Sequence, residues 1–87
     1  MANHPSAEKR NRQRIKRTLR NKVARGASRT AVKRAREALA AGDTKEAAER
    51  VHAAVVALAK AAKKGAVHPR NASRTTARIS RALGRQS

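Results

Sequence analysis

Arg70, Arg74, Arg78, Arg81 and Arg85 follow one another at intervals of three or four residues. On a helix turning about 100° per residue they share an arc of about 80°, and Ala72, Thr76, Ile79 and Leu83 fall on the opposite arc. At about 1.5 Å rise per residue the ladder is roughly 22 Å long. Guanidinium forks match phosphate oxygens two at a time, so this is the pattern of a helix with one face for a core and one for a polyphosphate. A merely solvated face normally mixes signs, whereas residues 60–87 contain no acid at all.

A second set of cations lies upstream. Lys9, Lys16 and Arg20 fall on one side of a helix, Arg10 and Arg17 beside them, Arg14 and Arg25 further round, and Lys22 and Arg29 beyond, with Lys33 following. A helix that is polar on nearly all sides is poorly stable alone and makes sense when several nucleic-acid backbones surround it. Lys63, Lys64 and His68 between the two sets, with Asn71 inside the ladder, complete the candidate phosphate-binding residues.

Charge by segment supports this division. Of 23 Lys and Arg against 5 Asp and Glu, residues 1–36 carry a net +12, residues 37–59 a net −2 and residues 60–87 a net +8, for a formal charge of +18. Such a field attracts polyanions, and both ends of the chain meet them rather than the middle. A membrane surface is the other polyanion, but interfacial helices use aromatic and leucine-rich faces, and this chain has no Phe, Tyr or Trp. The longest uncharged stretch, around VHAAVVALA, is too short to span a bilayer. The same lack of aromatics removes any platform for stacking unpaired bases, so recognition must rest on backbone and shape. Folded RNA, with closely spaced phosphates from several helices, suits a helix charged all round better than a single DNA groove does.

Other chemistries lack their parts. His4, His52 and His68 are too scattered for a zinc site, and there is no cysteine to join them or to form a disulfide or thiolate. His52 lies beside a core stripe and reads as structural; His68 reads equally as an N-cap and as a phosphate or ribose contact. Asp43, Glu46 and Glu49 at the start of a helix, with Lys60, Lys63 and Lys64 at its end, are accounted for by dipole complementarity. No nucleophile and base converge at a recognisable spacing, and no glycine-rich loop cradles a nucleotide, so neither enzyme activity nor a cofactor or small-molecule substrate is expected. MANHPSAEKRNRQR lacks a signal peptide's apolar segment, and its basic run continues into the first helix, unlike a transit peptide.

Alanine, Arg, Lys, Leu and Glu dominate between glycines, which predicts an all-α chain of three helices, a bundle with a long, projecting first helix in one domain spanning residues 1–87. The first runs from about residue 6, with Ser6 as N-cap, to 41, where Gly42 can take the left-handed conformation. The second spans about 44–64, capped by Asp43 with Glu46 at capping-box spacing, and carries the stripe Ala48, Val51, Val55, Leu58, Ala62. The third starts at Pro69, suited to a first helical position, and continues to about 84. Gly65 stops the second helix and Val67 folds back onto the core. Within the first helix Ile15, Leu19 and Val23 form one stripe, and Val32, Ala35 and Leu39 lie close to the opposite side. Residues 28–41 are therefore expected in the bundle and 6–25 to project, with Gly26 as the place for a bend. Twelve Ile, Leu and Val must carry most of the burial; against a backbone cost of about 1–2 kcal/mol per ordered residue that core is thin, so part of the chain is expected to order only with a partner.

MAN with Ser6, Ala7, Lys9 and Arg10, then RTAVKRAREAL, the AGD at Ala41–Asp43, and above all KKGAVHPRNASRTTARISR, resemble the bacterial small-subunit ribosomal protein S-twenty family over the whole chain. The most specific positions are Lys64, Gly65, His68, Asn71, Ala72, Arg74, Arg78 and Ile79. The resemblance implies a three-helix bundle with a long first helix, bound directly to small-subunit ribosomal RNA as a monomer within the cytoplasmic ribosome, in contact with other parts of the small subunit and supporting assembly without catalysis. Pro69 stands where the family usually has lysine, and the lack of any bundle aromatic is unusual for it; alanine-rich packing compensates by letting helices approach. The rival reading from residues alone is a histone-like DNA-compacting protein, which shares the basic, alanine-rich composition; a membrane-active cationic helix is a second.

Overall fold

A computed structural model describes residues 5–86. They form three helices and, among the described residues, no strand: α1 Pro5–Ala41, α2 Thr44–Lys63 and α3 Pro69–Gln86. His4 and the Met1–Asn3 portion of the family-like N-terminus lie outside them.

Each helix boundary has a local cause. α1 opens on Pro5, whose ring pre-sets a helical φ and whose missing N–H would have had no partner in the first turn, so Ser6 lies within that turn instead of capping it. α1 continues unbroken through Gly26 and ends where Gly42, at φ +80°, donates its N–H to the Leu39 carbonyl at 3.2 Å. Asp43 then caps α2: its backbone is extended and its side chain accepts from the Glu46 N–H at 3.2 Å. Only this half of a capping box is built, because the Glu46 carboxylate turns to Arg50, 3.7 Å away. α2 ends in a Schellman arrangement in which Gly65, at φ +78°, donates to Ala62 and Ala66 donates to Ala61. α3 runs past Gly84 to Gln86, beyond the expected stop, and there the Gln86 side-chain amide donates to the Leu39 carbonyl, tying the end of α3 to the end of α1.

The core is a seam between α1 and α2 with α3 laid mainly on α2. Val32, Ala35, Val51, Ala54, Leu58, Ala72 and Ile79 form its centre, and Leu39, Val55, Ala62, Val67 and Leu83 pack against it half-buried. The hinge valine therefore does fold back. Eight of the twelve large aliphatics are thus in the core, and alanine supplies the rest: six of the ten buried apolar residues are alanine, among them Ala35, Ala47 and Ala54 at 0% exposure. A one-carbon side chain lets helix backbones approach closely, so backbone proximity replaces side-chain bulk. Four large aliphatics stay outside: Ile15, Leu19, Val23 and Val56.

The first helix projects, and its overhang ends earlier than residue 25. Residues 5–20 are exposed throughout, Asn21 and Ala24 are half-buried, and Ser28 is buried, its hydroxyl satisfied by donating to the Arg25 carbonyl at 2.9 Å. The radius of gyration is 17.5 Å and the longest dimension 63 Å, against about 12 Å expected for the radius of a compact domain of this length. The overhanging helix accounts for the difference.

Candidate nucleic-acid interface

Every candidate phosphate-binding residue is exposed. All but His68 and Asn71 fall into four spatial groups. Lys9, Arg10, Arg14, Lys16, Arg17 and Arg20 belong to the overhang of α1, where no core face competes for the helix surface; Arg14 donates to the side-chain carbonyl of Asn11 one turn earlier, at 3.3 Å. Lys22, Arg25, Arg29 and Lys33 continue along the half of α1 that packs on the bundle, always on its solvent side. Lys63 and Lys64 close α2. Arg70, Arg74, Arg78, Arg81 and Arg85 line the outer face of α3, opposite buried Ala72 and Ile79 and half-buried Thr76 and Leu83. The ladder's separation of faces thus arises from where α3 touches α2.

Two places bring these groups together. At the hinge an open cleft of about 330 Å³ is bounded by Arg25 and Arg29 from α1, His68 from the hinge and Asn71 and Thr75 from α3, over a floor that includes Val32, Leu58 and Val67. Residues more than forty positions apart in sequence thereby converge on one concave surface with two guanidinium groups, an amide and an imidazole. His68 is the N-cap of α3: its Nδ1 accepts the Arg70 N–H at 3.1 Å, and its own carbonyl accepts from Ala72. A neutral imidazole whose Nδ1 accepts carries its hydrogen on Nε2, and in exposed His68 that second nitrogen remains available to donate outward. The capping and contact readings are therefore compatible.

The second place is the groove between α1 and α2 on the side away from α3, where Arg20 meets Lys64 and also Lys60. Lys60 was not among the sequence candidates; its separation of four residues from Lys64, in the last turn of α2, was the available signal. Arg12, on the overhang, and Thr75, at the hinge cleft, were likewise missed. His52, expected to be structural beside the core, is instead exposed on this groove, because α2 turns Val51 and Ala54 inward and His52 away from them.

Electrostatically the chain is polarised. Asp43, Glu46 and Glu49 gather near the α1–α2 turn, where Glu37 also lies, and Glu8 is the one acid within the overhang. Among the described residues the one ion pair is Arg50 with Glu46. No group of three or more His, Cys, Asp or Glu that could hold a metal ion occurs among the described residues, and no described helix is long and apolar enough to cross a membrane.

Comparison with known proteins bears on this arrangement. The family described as Ribosomal protein S20 matches residues 2–84. The small ribosomal subunit protein bS20 of Sorangium cellulosum is 52% identical over 87 residues, covering 100% of this chain and 92% of the relative. The bS20 proteins of Geotalea daltonii (48% over 81 residues, 93% of each chain) and Maridesulfovibrio salexigens (45% over 87 residues, the full length of both) are similar throughout. A family match over nearly the whole sequence, together with relatives covered over at least 92% of their length at 45–52% identity, means that the chain belongs to the ribosomal protein S20 family.

Proposed function

We propose that this protein is a structural constituent of the small ribosomal subunit in the cytoplasm, that it binds small-subunit ribosomal RNA directly through phosphate and shape contacts, and that it supports subunit assembly without catalysis. The observation that carries the reading is the uncompensated charge: of 23 Lys and Arg, all within the described residues, only Arg50 has an ion-pairing carboxylate. Those cations are arranged for more than one backbone at once. The cations of the α1 overhang spread over about 200° of its circumference, leaving the Ile15–Leu19 side without a basic residue, the α3 ladder presents a straight row, and the hinge cleft between them adds Arg25, Arg29, His68 and Asn71. A single DNA groove meets one helix face, whereas packed RNA helices supply phosphates from several directions. The relatives' shared name, small ribosomal subunit protein, points the same way.

Competition binding tests the proposal: labelled protein against small-subunit ribosomal RNA, large-subunit ribosomal RNA and random duplex DNA, at about physiological salt and above. Counterion release weakens all three as salt rises, so the ratio between them is the informative quantity. A small-subunit preference that persists at the higher salt supports specific recognition. Equal affinities that fall together leave only the +18 charge and favour DNA compaction instead.

A further inference from the structure

The exposed aliphatics share one feature that phosphate binding does not use. Leu19 is 58% exposed, Val23 73% and Val56 37%, and all three line the same groove between α1 and α2, with a volume of about 810 Å³ and alanines completing its floor. Its charged rim consists only of cations: Arg20 from α1, Lys60 and Lys64 from α2. Among described residues, the only other large exposed aliphatic, Ile15, continues the α1 stripe one turn further out.

An occupant of this groove must offer apolar surface and negative charge side by side. A second copy of the chain fails, because it would bring another +18 against the same rim. A bilayer fails on anchoring, since an interfacial helix holds itself with aromatic side chains and this chain has no Phe, Tyr or Trp. The backbone of A-form RNA alternates ribose carbon faces with phosphates, and its wide, shallow minor groove displays that sugar edge. We infer that this groove seats a ribose–phosphate ridge of ribosomal RNA from its minor-groove side, with sugar faces on Leu19, Val23 and Val56 and phosphates at Arg20, Lys60 and Lys64. The inference rests on the proposed ribosomal RNA binding and deepens it: part of the affinity is salt-independent apolar contact, made in the open groove beside the α1–α2 seam.

The two kinds of contact separate in a salt series. Each phosphate contact contributes nearly one unit to the slope of log affinity against log salt, and an apolar contact contributes nothing to it. Binding of the full chain to small-subunit ribosomal RNA is measured from low to high salt for wild type, for Leu19→Gln with Val23→Gln, and for Lys60→Gln with Lys64→Gln, with helicity of each checked by circular dichroism. Glutamine is a good helix former and both aliphatics are exposed, so the first variant folds. The expected result is an affinity lowered roughly tenfold at every salt concentration, giving a line parallel to wild type, while the lysine variant gives a slope shallower by about two. Unchanged affinity in the aliphatic variant overturns the inference, leaves the wild-type preference standing and reassigns the groove to a protein helix with acidic flanks. A loss accompanied by a shallower slope also overturns it, because phosphates, not sugars, would then have been released. Absence of any small-subunit preference in wild type removes the proposed function and this inference with it.

Discussion

The imidazole Nδ1 of His68 accepts the backbone N–H of Arg70 at 3.1 Å, so the residue that begins the arginine ladder's helix also fixes where its first arginine stands. An N-cap acceptor is worth about 0.5–2 kcal/mol relative to alanine. His68→Ala is expected to lower stability by about 1 kcal/mol, and His68→Asn, which keeps a side-chain acceptor, by much less, read from urea midpoints. Both variants lose the outward Nε2–H, so both should weaken ribosomal RNA binding. Wild-type affinity in the asparagine variant would assign His68 to capping alone.

Arg74 and Arg78 are exposed on the face of α3 opposite Ala72 and Ile79. Arg74→Ala with Arg78→Ala is expected to weaken binding to small-subunit ribosomal RNA and to make its salt dependence shallower by about two units, with helicity unchanged. Loss of helicity by circular dichroism would show that the arginines serve the bundle.

The glycines divide into two kinds. Gly65 sits at φ +78°, whereas Gly26 lies inside α1 with nothing within 4 Å of an added methyl group. Gly65→Ala forces a side chain into the left-handed region and is expected to cost about 1 kcal/mol. Gly26→Ala removes a flexible residue from a helix interior and should stabilise by about 0.5–1 kcal/mol. Thermal unfolding of the two variants should therefore shift in opposite directions.

Ala54 is fully buried on the core face of α2, and its neighbour Ala53 is exposed on the groove side. Leucine is nearly as good a helix former as alanine, so substitution isolates packing. Ala54→Leu is expected to destabilise by about 1–3 kcal/mol through overpacking, and Ala53→Leu to be close to neutral. Equal urea midpoints for the two would mean that α1 and α2 are not held close by small residues.

Helix positions were legible because their signals are local. Gly42, Asp43, Gly65 and Pro69 act on the backbone within a few residues of themselves, and each does so here. The two opposed stripes of α1 were also legible, since helical periodicity alone separates Leu19 from Val32. What could not be read was which apolar residues the bundle would bury. Alanine is ambiguous in a sequence, and only the docking of α2 decides that Ala54 is enclosed while Val56 is left outside. The convergence of Arg25 and Arg29 with His68 and Asn71 depends on the same docking, and no spacing in the chain encodes it.

The overhang of α1 has a mechanical consequence. Residues 5–20 form a cantilever clamped only from Asn21 onward, about 24 Å long at helical rise. A rotation of a few degrees at the clamp sweeps the free tip through about 2 Å over that length, close to the difference between making and missing a hydrogen bond. A partner that held the bundle alone would leave the tip this freedom, and one that also held the tip would fix the angle of the whole beam.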